Sequence, residues 1–236
     1  MTRHASLNNI EHKDLRIITT PGVQFGDDVM GVMTFPAEFR EIQAHYPIAF
    51  AKSREGEFTP LALFGFREKQ NLFLDGARWD CTYVPLMMAR QPFLIGIDSN
   101  KQTMVHIDLD HPRVSRTEGE PLFKEFGGTT EFLDRQSSLL ATIHQGLPAT
   151  KPFVDALVEH GLLESFVLDI EFRDGAQHRF AGFYTVREEK LAQLTADALG
   201  KLHEKGYLQA IFMVIASLSH FRDLIDRASK LDAGTR

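Results

Sequence analysis

A chain of 236 residues with 43% hydrophobic and 25% charged residues can bury one large core or two small ones, which excludes a disordered chain. Its net charge of −6 and pI near 5.9 argue against a general nucleic-acid or anionic-membrane binder, since both need a basic field facing phosphate. The lone Cys81 allows no intramolecular disulfide, and no apolar stretch follows the first basic residues, so a cytoplasmic protein without signal peptide or membrane span is expected.

Up to about Val114 the chain reads as short β-runs broken by Pro and Gly, with strands expected at 31–34, 48–52, 61–66, 71–74, 93–97 and 103–109. A short helix is expected over 36–45, with Pro36 in its first turn and Pro47 just past its end. Residues 53–58 read as a hairpin loop. After Thr129 and Thr130, the residues Phe132, Leu133, Gln136, Leu139, Leu140 and Ile143 recur at helical spacing until Gly146 and Pro148 stop them. A second helix fits 151–160, capped by Thr150 and ended by Gly161.

Next, Phe166, Leu168, Ile170 and Phe172 alternate with Val167, Asp169 and Glu171, and Asp174-Gly175 supplies the turn of a β-hairpin near 166–184. A C-terminal helical hairpin closes the chain. Thr185 and Glu188 have capping-box spacing, and Leu191, Leu194, Ala198 and Leu202 line one face until Gly206. Leu208, Ile211, Phe212, Ile215, Leu218 and Ile225 belong to the last helix. The sum is an α+β protein, read as a single domain over 1–236 with a weak seam at 115–128.

Tyr46-Pro47-Ile48-Ala49-Phe50, Leu63-Phe64-Gly65-Phe66, Asn71-Leu72-Phe73-Leu74-Asp75, Trp79, Tyr83-Val84-Pro85 and Pro92-Phe93 carry a likeness. With Gly119, Leu122-Phe123, the run Gly182-Phe183-Tyr184-Thr185-Val186 and Gly206-Tyr207-Leu208, the chain resembles the bacterial SapC-like family over about 34–225. It departs from the family pattern at Met88-Ala89-Arg90-Gln91, where paired arginines and an aromatic are usual. The family name derives from association with a bacterial surface layer, and members of the family that the chain resembles are often encoded near outer-membrane uptake receptors and flavin-dependent halogenase-like or cupin-like proteins. The expected partner is thus a protein or small ligand of the cell envelope or uptake machinery, and no catalytic residue set comes with the family. An unrelated peptide-transporter permease of the same name does not fit a sequence in which no membrane span is read.

Aromatic walls with a few polar groups suit a small-molecule or peptide pocket, so Asn71, Phe73, Asp75, Trp79, Tyr83 and Arg90 are the candidate ligand-binding residues. Core filling is the competing account of the same aromatics. His106 and Asp108, two apart on one strand face, are candidate metal ligands, with His178 as a distant third. That set corresponds to an Fe(II)-dependent, oxygenase-like enzyme, against which stands an ordinary solvated polar face. No other cofactor is expected: no phosphate loop, paired-cysteine motif or Ser-His-Asp order occurs. Asp169 and Glu171 share a strand face as acids do in glycosidases, but outward polar alternation accounts for them. The leading expectation is a non-enzymatic or accessory binding protein, and the sequence leaves its oligomeric state open.

Overall fold

In the computed structural model, which describes residues 3–97, 103–171, 175 and 177–234, every paired strand runs antiparallel to its neighbour. The class is α+β, strand-rich in the N-terminal half and closed by a C-terminal helical hairpin. The described residues group into two units. The first comprises those up to Asp27, then Leu74–Asp80 and Leu86–Gln145; the second comprises Asp28–Phe73, Cys81–Pro85 and the residues from Gly146 on.

The first unit holds a sheet of His4–Ser6, Thr103–Asp108 and Phe93–Ile97, in that order. A smaller sheet places Arg16–Ile17 between Val114–Ser115 and Glu120–Pro121, and Leu74–Asp75 pairs with Arg78–Trp79 as a short hairpin. Strand alternation turns Val105, Ile107 and Leu109 inward, onto a core that includes Leu15, Ile17, Phe93 and Leu122. Helix Glu131–Gly146 adds Phe132, Leu133 and Leu140 to that core. It starts at the expected threonines: Thr130 Oγ1 accepts from the Leu133 N–H at 3.3 Å, and Thr129 Oγ1 donates to Asp134 at 2.6 Å.

The second unit is built on a five-stranded sheet ordered Leu163–Glu171, Gln177–Val186, Ile48–Lys52, Phe58–Leu63, Gly31–Met33. Ile48–Lys52 falls where it was expected, while the next strand starts three residues early and stops at Leu63. It stops because the Phe64 and Gly65 N–H groups turn to the Met30 carbonyl, at 2.7 and 3.1 Å. The expected strand at 71–74 is largely a turn, since Asn71 Oδ1 accepts from the Phe73 N–H at 3.0 Å. The helix read over 36–45 shrinks to Phe39–Ile42, flanked by three-residue turns such as Glu38 N–H to Phe35 O at 2.8 Å.

The long hairpin carries one irregularity that periodicity alone does not reveal. Phe166 pairs with Phe183 and Leu168 with Phe180, so Ala181 and Gly182 face Val167 alone, and Gly182 takes φ 93°. The extra residue puts Phe180 and Phe183, three apart, on one face, where their rings stack at 4.5 Å and 11°. Gly175 sits at φ 83°, but Asp174 of the expected turn lies outside the described residues.

Two capping expectations are corrected. Thr150 is the first residue of helix Thr150–Glu159, and its hydroxyl has no partner among the described residues, because the preceding 3-10 turn Leu147–Ala149 already supplies a helical entry. Thr185 stays in its strand, so the helix begins after Arg187, runs Glu188–Ala192, and restarts as Ala196–Glu204 with Thr195 as its cap. Thr195 Oγ1 accepts from the Ala198 N–H at 3.3 Å, although the sequence there lacks the Glu three residues on that marked Thr185.

The closing hairpin turns at left-handed Gly206 and continues as Tyr207–Ser217, a 3-10 turn Leu218–His220 and Phe221–Gly234. By length and composition, Tyr207–Leu231 is the stretch among the described residues that is long and apolar enough to cross a membrane, with mean hydropathy 1.3. Its Ala210, Ile211, Val214 and Ser217 are buried, and Ser217 Oγ accepts the Ile48 N–H at 2.9 Å while donating to Val214 O at 2.6 Å. The helix is thereby fastened to the middle of the sheet.

Candidate functional site

Tyr46 organises the aromatic segment of the second unit. Fully buried, it meets Phe73 edge-on at 4.7 Å and Phe64 at 5.3 Å, and its hydroxyl donates to the Tyr83 carbonyl oxygen. Phe73 is buried as well, with the Arg227 guanidinium over its ring at 4.4 Å. Arg227 also donates to the Leu72 carbonyl at 3.3 Å. Phe73 therefore contributes to the core of this unit, and Asn71 makes the turn that delivers it.

Tyr83 is half-buried and does something else. Its hydroxyl donates to Glu38 Oε1 at 2.9 Å, and Thr34 Oγ1 donates to Glu38 Oε2 at 2.7 Å. Glu38 is only 3% exposed. Burial first, and then the Glu38 charge, push the Tyr83 phenol far above its ordinary pKa, because ionisation would set a second anion beside the carboxylate. Tyr83 is thus a fixed donor rather than a base. The His45 ring stacks on it at 6.4 Å, and His45 Nε2 lies 3.3 Å from Thr82 Oγ1.

Asp75, Trp79 and Arg90 belong to the first unit, so the six candidate ligand-binding residues divide evenly between the two units. Asp75 and Arg78 form an exposed ion pair at 3.0 Å on the hairpin that carries Trp79, and Arg78 reaches Asp80 at 3.3 Å. Trp79, the one tryptophan of the chain, is half-buried there. Arg90 donates to the Phe93 carbonyl at 2.8 Å, and its burial pushes its pKa down.

His106 and Asp108 share one face of Thr103–Asp108, as alternation requires. The His106 imidazole lies over Gly96 of the adjacent strand, where an added Cβ would come within 2.1 Å of Nε2. Asp108 Oδ1 accepts from the Asp110 N–H at 3.1 Å. His178 lies on Gln177–Val186 in the second unit, paired with Ile170, and its side chain is outside the described residues. Among the described residues no three of His, Cys, Asp and Glu gather as a metal-holding group. His106 and Asp108 by themselves offer two donors. Asp169 and Glu171 are exposed, the former 3.9 Å from Arg179.

Two buried carboxylates escaped the sequence reading. Arg113, 8% exposed, donates through Nη2 to Asp27 at 2.6 Å and through Nη1 to the carbonyls of Ile18 and Thr20 at 2.8 and 3.0 Å. Its guanidinium lies 4.8 Å over Phe25, and the Gly22 N–H donates to Asp27 at 2.8 Å. The partners lie far apart in the chain, so no local spacing announces them. Glu38 follows Thr34 by four residues, one too many for a capping box, so it too carried no local signature.

The family model described as SapC matches residues 7–224. No curated protein and no solved structure matches the chain.

Proposed function

This chain belongs to the SapC family, and we propose that it is a non-enzymatic accessory protein of the surface-layer-associated type, binding a partner protein or small ligand of the envelope or uptake machinery. It works from the cytoplasmic side, and Trp79 is its principal contact. The observation that carries this reading is the hairpin Leu74–Trp79 of the first unit, where exposed Asp75, Gly76, Ala77 and Arg78 lead to a half-buried indole. Tryptophan brings a large rigid face at little entropic cost and dominates many recognition surfaces, while a nearby ion pair sets orientation.

The test is capture from an envelope fraction by immobilised wild type, Trp79→Ala and Lys201→Ala, each shown to be folded. One protein or small molecule retained by the wild type and by Lys201→Ala but lost with Trp79→Ala supports the reading; equal retention by all three refutes it.

A second reading, an Fe(II)-dependent oxygenase-like enzyme, draws support from His106 and Asp108 on one strand face. It requires near-stoichiometric iron after anaerobic reconstitution, lost in His106→Ala. Elemental analysis finding no iron in the folded wild type rules it out.

A further inference from the structure

Two cavities, of about 500 and 420 Å³, indent the first unit and share Leu15 and Arg116 in their walls. Each falls within the range of about 300–1,000 Å³ usual for small-molecule sites. Arg116 stands at their junction, exposed, with no ion pair among the described residues. Lys13 and Lys124, on the wall of the larger cavity, are also without ion pairs among the described residues. Arg16 lines the same cavity while donating to the Gly119 carbonyl at 2.6 Å. In the smaller cavity, Arg3 is already engaged by Asp110 at 3.6 Å.

The larger cavity sets four cations, Lys13, Arg16, Arg116 and Lys124, against two carboxylates, Asp14 and Glu125, a surplus of two positive charges in a chain of net charge −6. That local reversal of sign is a specific concentration of charge. Apolar side chains share the lining with the cations: Leu15, Phe123 and Pro121 in the larger cavity, Leu15, Leu109 and Val114 in the smaller.

His12 gives the groove direction. It is 5% exposed, lines the smaller cavity, and its Nδ1 accepts the Asn8 N–H at 3.1 Å. An imidazole that accepts at Nδ1 carries its proton on Nε2. That Nε2–H has no hydrogen-bond partner among the described residues. The Nε2 edge opens into the cavity that Arg116 also lines, and a donor there without a protein partner among the described residues is available to a bound oxyanion.

The geometry points to a binding site for a small amphipathic acid in this groove. Its anionic head, a carboxylate or another oxyanion, pairs with Arg116 and accepts from His12 Nε2–H, and its apolar body lies on Leu15 and Phe123. The site is separate from the Trp79 hairpin and does not depend on it.

The test uses the full chain and two fluorescent probes of shared ring system: 8-anilinonaphthalene-1-sulfonate, which is anionic, and N-phenyl-1-naphthylamine, which is neutral. Saturable binding of the anionic probe, stronger than that of the neutral one and displaced by dodecanoate, is expected. Arg116→Glu should weaken the anionic probe by about tenfold or more, the size of one charge-assisted contact. Lys124→Glu, also at an exposed position, should weaken it less, and Trp79→Ala should leave it unchanged.

The His12 imidazole resonance should shift on addition of the anionic probe to the wild type. Equal affinity for the two probes, no saturation, or an unchanged affinity in folded Arg116→Glu overturns the site. So does cosedimentation with phosphatidylglycerol vesicles in the absence of saturable probe binding, because the cations would then serve a lipid surface.

Discussion

Each unit buries a carboxylate near its start, and the two are held by different chemistry. In the first unit Asp27, 2% exposed, meets the Arg113 guanidinium at 2.6 Å and a backbone N–H. In the second, Glu38, 3% exposed, collects the hydroxyls of Thr34 and Tyr83. A full counter-charge at low dielectric makes the pair hard to break, because removing one partner strands the other. Hydroxyls share the load, and losing one leaves others in place. The first arrangement locks a loop; the second holds a helix entry while keeping Tyr83 protonated.

The sharpest way to break this comparison is Arg113→Met, which keeps the bulk and removes the charge. It should cost about 3–5 kcal/mol in denaturant unfolding, the usual penalty for leaving a buried charge unpaired. Asp27→Asn added to it should restore a substantial part, because the stranded charge then disappears. A loss under about 1 kcal/mol, as for a surface pair, would mean that the loop solvates Asp27 without its partner.

Tyr83→Phe, the matching change in the second unit, should cost about 1–2 kcal/mol, one hydrogen bond to a buried acceptor. The raised phenol pKa has a sign that the same variant tests. Stability from the protonated Tyr83 is fully present below the ordinary value of 10.0 and declines as pH rises beyond it, since only the unfolded chain then ionises. Alkaline unfolding curves of wild type and Tyr83→Phe should converge above that pH. Parallel curves would sink the account of Tyr83 as a proton donor to Glu38.

Much of the backbone plan was legible because it rests on local rules. Ile48–Lys52 and Phe93–Ile97 read as strands from their apolar runs, and left-handed Gly161 and Gly206 end helices as their positions require. The failures share a cause in contacts from outside the local window. The carbonyl of Met30 ends a strand at Leu63, and the bulge opposite Val167 shifts a register that alternation alone cannot detect. Side-chain sites were less legible still. Phe73 and Tyr83 sit ten apart and both touch Tyr46, yet one fills a core and the other caps a carboxylate. Asp27 and Arg113 belong together only after folding.

The smallest expected effect lies beside the Asp27–Arg113 pair. His111 Nδ1 accepts the Arg113 N–H at 3.2 Å, which requires a neutral imidazole. Burial, followed by the charge of Arg113, lowers the His111 pKa from its ordinary 6.5, with Arg90 adding to the effect and Asp108 and Asp27 opposing it. The folded pKa is depressed, so the contribution is fully present above about pH 6.5 and shrinks as pH falls, because the unfolded chain takes up the proton first. His111→Gln should flatten the stability-against-pH slope just below pH 6.5 relative to wild type, while leaving stability at pH 8 nearly unchanged. Subtracting the two profiles removes the contribution of the other histidines. A slope that stays the same would place His111 in water, and with it would go the view that Arg113 organises its surroundings beyond Asp27.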